Sequence, residues 1–213
     1  MIQKIVVLIV TSIICFYSSL FADSFYFFNK FSYSADVGLV SGSSTWSKAS
    51  SVADDSDRYR LGYQITGKAS YDISDAVSFY FGVGYKALNT EHYKASNTDS
   101  REYRMNYLYV PASLSFMLPI VWDNVSVNLV LGGYGAYLLD AESQLGVNAL
   151  QKLDNNDLTS FDYGAISGIT FTYFSSVSFF HSINVSLTYD YGLQEIASKV
   201  TNNAITFSLA TKI

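Results

Sequence analysis

Beyond residue 22, apolar and polar residues alternate with a period of two over long stretches. Between Arg58 and Tyr71, the series Tyr59, Leu61, Tyr63, Ile65, Gly67, Ala69, Tyr71 interleaves with Arg58, Arg60, Gly62, Gln64, Thr66, Lys68, Ser70. A strand puts successive side chains on opposite faces, so this spacing marks a strand with one apolar and one polar face. The same alternation returns from Val77 to Ala87 and from Ser182 to Leu193. Read throughout, the pattern predicts eight strands: 32–42, 57–71, 76–88, 103–117, 125–139, 161–174, 179–193 and 203–213. They exceed the usual strand of about 5 to 6 residues and reach the ~9 to 11 that a tilted strand needs to cross a bilayer. In the fourth, Pro111 has no N–H for a ladder, which predicts a bulge or a change of phase there.

The connections alternate in length. Ser43 to Ser56, Asn89 to Glu102, Asp140 to Ser160 and Gln194 to Asn202 are long, whereas Asp72 to Asp75, Leu118 to Asn124 and Ser175 to Ser178 are short. Short periplasmic turns and long external loops give that rhythm, and an even strand count puts both ends of the barrel on the periplasmic side. The expected fold is therefore all-β, an eight-stranded antiparallel up-and-down transmembrane β-barrel. An extra hairpin within Asp140 to Ser160, where Leu145, Val147, Ala149 and Leu153 alternate weakly, would make it ten-stranded.

Composition decides which face meets lipid. A soluble barrel also alternates, but it covers its outside with charge. Here charged residues are only 15% of the chain, against about 25% in soluble domains, while 49% is hydrophobic and 16% aromatic. The polar face is built mostly of Ser, Thr, Asn and Gly, which suits a narrow lumen; tyrosines near strand ends suit an interfacial girdle. The mean hydropathy of +0.17 and the lack of a long apolar run past residue 22 exclude a bundle of membrane helices. Eighteen Tyr and fifteen Phe exclude a disordered chain.

Residues 1–22 read as a cleaved signal peptide that directs export across the inner membrane. Lys4 supplies the positive start, Ile5 to Phe21 the apolar stretch and Ala22 the small residue before Asp23. The barrel domain is then 23–213. Cys15, the single cysteine, falls in the leader, so the mature chain has no disulfide and no thiolate site.

The formal net charge is −5, and −6 without Lys4. The long connections, counted with Asp57 at the edge of the first, hold five basic and eleven acidic residues and thus the whole imbalance. The remaining charges balance. A lumen charge network of Asp36, Arg58, Arg60, Lys68, Lys86, Asp162 and Asp190 is the expectation, because isolated charges there would be costly. No basic patch offers a nucleic-acid site.

Catalytic, cofactor and metal sites are not expected. His92, beside Glu91 and near Ser96 and Ser100, reads as a solvated loop histidine, and His181 lies at the periplasmic end, away from lipid A. Asp54-Asp55-Ser56-Asp57 and Asp154-Asn155-Asn156-Asp157 lack the ligand spacing of a calcium loop.

Tyr107-Leu108-Tyr109-Val110-Pro111, followed by Ala112, Leu114 and Phe116, resembles a strand of the PorT-like outer-membrane β-barrel proteins, the porin family of small OmpX-type barrels. The Gly-rich run Leu131 to Leu139, the stretch Asp162 through Phe171, Leu187 to Leu193 and the closing strand Asn203 to Ile213 are similar to that family's later strands. Such barrels usually end in an aromatic residue that the assembly machinery reads; this chain ends in Ile213, which bears on assembly efficiency. The resemblance implies the bacterial outer membrane, a shell of outer-membrane lipid and passage through the barrel-assembly machinery. The expected protein is a non-enzymatic monomer with a side-chain-filled lumen and acidic surface loops that meet an envelope or extracellular ligand. A small ion or solute channel is the alternative, and a lipid A-modifying enzyme a remote one.

Overall fold

The computed structural model describes residues 30–46, 55–94, 100–122, 124–145, 151–152, 159–174, 182–197 and 200–212. Its strands are β1 (Phe31–Trp46), β2 (Asp55–Ser74), β3 (Val77–Lys94), β4 (Ser100–Trp122), β5 (Val125–Leu145), β6 (Gln151–Lys152), β7 (Phe161–Phe174), β8 (Ser182–Ala197) and β9 (Val200–Lys212). All but β6 are long and antiparallel, and they close into an eight-stranded barrel because β1 pairs with both β2 and β9. Val37, for example, lies opposite Ile65 on one side and Leu209 on the other. Closure leaves no sheet edge along the barrel wall, as backbone in hydrocarbon requires.

The predicted strands are present, and they run further than the alternation suggests. β3 continues to Lys94 and β4 starts at Ser100, so the connection expected from Asn89 to Glu102 narrows to residues 95–99. His92, read as a loop residue, stands instead on β3 opposite Asp57 and Arg101. The physical reason is that above the bilayer both faces of the sheet meet water, so apolar alternation fades while the hydrogen-bonded ladder continues. The predicted turn from Leu118 to Asn124 shrinks as well, since Trp122 pairs with Val125.

Two further expectations are corrected. Pro111 causes no register shift: Phe81↔Ala112 and Gly84↔Tyr109 keep one register across it. The slips of β4 lie instead against β5, between Asn106 and Tyr107, where Leu139 has no partner on β4, and between Met117 and Val121. The extra hairpin within Asp140 to Ser160 amounts to β6, which pairs with Glu142 and Ser143 near the end of β5 and adds no barrel strand. The expected signal peptide, His181, Ile213, Asp54 of the first acidic tetrad and the whole of the second, residues 154–157, lie outside the described residues.

Large apolar side chains cover the outer face: Val37, Leu39, Ile65, Phe81, Leu131, Phe171, Leu187, Phe207 and Leu209 are all exposed. An apolar surface of this extent belongs in lipid rather than water. What the barrel buries is its lumen.

Candidate functional site

The lumen has three levels along the barrel axis. The end bearing the short turns, with the start of β1 and the end of β9, is the periplasmic one. Nearest to it, Ser34, Asp36, Gln64, Lys68, Tyr80, Ser113, Asn128, Thr170, Asn184, Ser186 and Ser208 line a cavity of about 70 Å³. That is room for several waters, and the lining is hydroxyl and amide groups that bind water well. Lys68 pairs with Asp36 on its wall. Thr170 and Ser186 share a hydrogen bond of 2.8 Å, and Ser32 and Ser70 a second of 2.5 Å.

In the middle sits a polar layer. Lys86 Nζ lies 2.5 Å from Asp190 Oδ2, and both residues are almost fully buried. The Tyr109 hydroxyl donates to the same carboxylate at 2.8 Å. The ammonium also stands 4.7 Å from the centroid of the Tyr109 ring, within range of a cation–π attraction. Tyr109 and Tyr134 face each other with centroids 5.5 Å apart. Asn202 Nδ2 donates to Asp162 Oδ2 at 3.1 Å and to the Tyr107 hydroxyl at 3.0 Å. The void left in this layer is about 10 Å³.

Towards the extracellular end the lumen turns apolar. Val40, Leu88, Met105, Leu138, Ala141 and Ala204 are buried in a cluster that continues down onto the rings of Tyr107, Tyr109 and Tyr134. A soluble protein packs its core this way; here the core fills the bore.

The expected charge network is therefore divided. Asp36 with Lys68 lies in the lower level, and Lys86, Asp190 and Asp162 lie in the middle. Arg58 and Arg60 are not lumen residues: both are exposed at the upper end of β2. Arg60 reaches Glu91 at 2.9 Å and Glu102 at 3.7 Å, and Glu102 also meets Arg104 at 3.6 Å. The physical cause is the long ladder above the bilayer, which puts acids expected in loops onto strands beside these arginines.

Inward-facing Tyr107, Tyr109 and Tyr134, with Asn202, were not foreseen as site residues. A signal for two of them exists, since Tyr107 and Tyr109 share parity with Ser113 and Ser115 of the same strand. Glycine makes the room. On β7, Gly164 lies opposite Tyr134, and a Cβ there would come within 2.6 Å of the ring and 2.1 Å of the Tyr191 carbonyl.

A closed, lipid-clad, side-chain-filled barrel agrees with what the sequence matches. The family model for the outer membrane protein β-barrel domain matches residues 21–198. The chain belongs to this family. It is an integral β-barrel protein of the bacterial outer membrane. No curated protein matches the sequence. Among solved structures, this outer-membrane barrel is similar to Ail, the attachment invasion locus protein of Yersinia pestis, at 11% identity and a TM-score of 0.42, over 85% of this chain and 98% of that one. It is also similar to Neisserial surface protein A, at 14% identity and 0.42, over 85% and 96%. A third is OprG from Pseudomonas aeruginosa, at 9% identity and 0.46, over 86% and 95%.

Proposed function

We propose that this protein is a sealed outer-membrane barrel that acts through its extracellular end, as a non-enzymatic surface-interaction protein. The observation that carries this reading is the filled bore. A conducting path needs continuous water, and the middle layer leaves a void of about 10 Å³ beneath a packed apolar cluster. Opening it requires separating a buried ion pair and moving three tyrosine rings, both costly in a low-dielectric interior. The extracellular end carries the chain's surplus of acid, a suitable face for cationic partners or for divalent ions that bridge to the envelope.

Planar-bilayer conductance of the refolded protein, with folding checked by its heat-dependent gel mobility, tests the reading. The expected result is a folded, silent protein. Discrete and reproducible current steps from the wild type overturn it and favour the second reading, a small channel. The lower cavity is the observation behind that alternative, and Lys68 with Asp36 would then face the permeating ion.

A further inference from the structure

The middle layer of the lumen holds more negative than positive charge. Asp162 and Asp190 are each 3% exposed and Lys86 is 5% exposed. Lys86 is committed to Asp190. Among the described residues no basic side chain forms an ion pair with Asp162. The other groups facing Asp162 are the hydroxyls of Tyr107, Tyr109 and Tyr134, the amide of Asn202 and the backbone N–H of Tyr163.

The amide's donors are used in one direction. Asn202 Nδ2 gives hydrogen bonds to Asp162 Oδ2 and to Tyr107 Oη. This leaves Asp162 Oδ1 and Asn202 Oδ1, two sealed acceptors with no donor. Both residues line the void of about 10 Å³, close to the space one water-sized sphere occupies. Buried acceptors without a donor are rare and costly, and a buried net charge of −1 more so. A neutral water satisfies the oxygens but leaves the charge, and a divalent ion overshoots it.

We propose that this void binds one monovalent cation, shared between Asp162 Oδ1 and Asn202 Oδ1. Two sources supply that chemistry: an alkali ion from the medium, or a proton held between the two oxygens. A species bound only in the folded state raises the unfolding midpoint, increasingly so as its concentration exceeds its Kd, so stability reads the site directly and without any assay of function.

The test is thermal unfolding of the refolded protein in detergent, in sodium, potassium or N-methylglucamine chloride at equal ionic strength, at several pH values, for the wild type and Asp162→Asn. A midpoint higher in sodium or potassium than in N-methylglucamine, with the difference lost in Asp162→Asn, supports the site and assigns it to an alkali ion. Indifference to the cation, with a midpoint that falls as pH rises in the wild type but not in Asp162→Asn, supports it and assigns it to a proton. Asn202→Ser, which removes the amide oxygen together with the Nδ2 donor and keeps the carboxylate, must weaken a dependence on the alkali ion, because one of its two ligands is gone. The proposal is overturned if the wild-type midpoint responds to neither variable, or if Asp162→Asn and wild type respond alike.

Discussion

The upper and lower halves of the lumen are made from the same eight strands and solve opposite problems. Below, polar side chains face a cavity of about 70 Å³, and water there can complete bonds that a neighbour leaves unmade. Above, tyrosine rings and aliphatic groups close on one another around a single ion pair, and polar atoms there have little water to turn to. The difference teaches that inward-facing is not one environment in a small barrel. A lysine–aspartate pair is present in both halves, yet Lys68 keeps a quarter of its side chain exposed while Lys86 keeps 6%. Equal substitutions in the two halves therefore have unequal consequences.

Removing the upper lysine is the strongest way to break the contrast. Lys86→Ala leaves Asp190 buried without its cation, for which about 3–5 kcal/mol is the typical cost; urea unfolding in detergent should show it. Lys68→Ala should cost less, about 1–3 kcal/mol, because Asp36, although only 3% exposed, lines the lower cavity where water can reach it. Equal losses from the two would remove the distinction between the halves. The converse sharpens it: a Lys86→Met, Asp190→Val, Tyr109→Phe triple variant roughly keeps volume and removes both charges together with the hydroxyl that donates to Asp190. Its stability should lie near the wild type or above it, since apolar replacement of a buried pair is often neutral or stabilising by about 1–4 kcal/mol.

Backbone proximity gives the next effect in size. Gly164→Ala puts a Cβ against the Tyr191 carbonyl and the Tyr134 ring, and neither can retreat without opening the middle layer. Overpacking of this kind costs about 1–3 kcal/mol. A paired Tyr134→Leu background, which frees the space beside Gly164, should recover part of the loss in the same unfolding measurement.

The sequence makes the wall of this barrel legible and its filling much less so. Alternation from Tyr59 to Tyr71 and from Ile183 to Leu193 states which side chains face lipid, and the short connections state which ends are joined closely. Height along the axis is another matter. Whether Lys86 meets Asp190, 104 positions away, depends on the stagger of all the intervening strands, and no local pattern encodes it. Tyr107 and Tyr109 illustrate a second limit. Tyrosine suits both an interfacial girdle and a buried layer with a hydroxyl partner, so residue type pointed outward while strand parity pointed inward. Arg58 and Arg60 failed for another reason: the register of β2 against β3 shifts between Tyr59 and Tyr63, so the alternation read along β2 does not carry up to them.

The smallest predicted effect compares single hydroxyls. Tyr107→Phe removes the oxygen that accepts from Asn202 at 3.0 Å in the packed layer, where no solvent replaces it. A loss of about 1 kcal/mol is expected, at the upper side of an ordinary hydrogen bond's net contribution because the stranded donor stays buried. Thr170→Val removes one partner of the 2.8 Å bond to Ser186, which lines the wet cavity. Ser186 can turn to water there, so about 0.5 kcal/mol or less is expected. The two substitutions each delete one hydroxyl from an inward-facing side chain, and their difference in unfolding free energy measures what water is worth inside the barrel. A Thr170→Val loss as large as that of Tyr107→Phe would mean that the lower cavity is as dry as the upper layer.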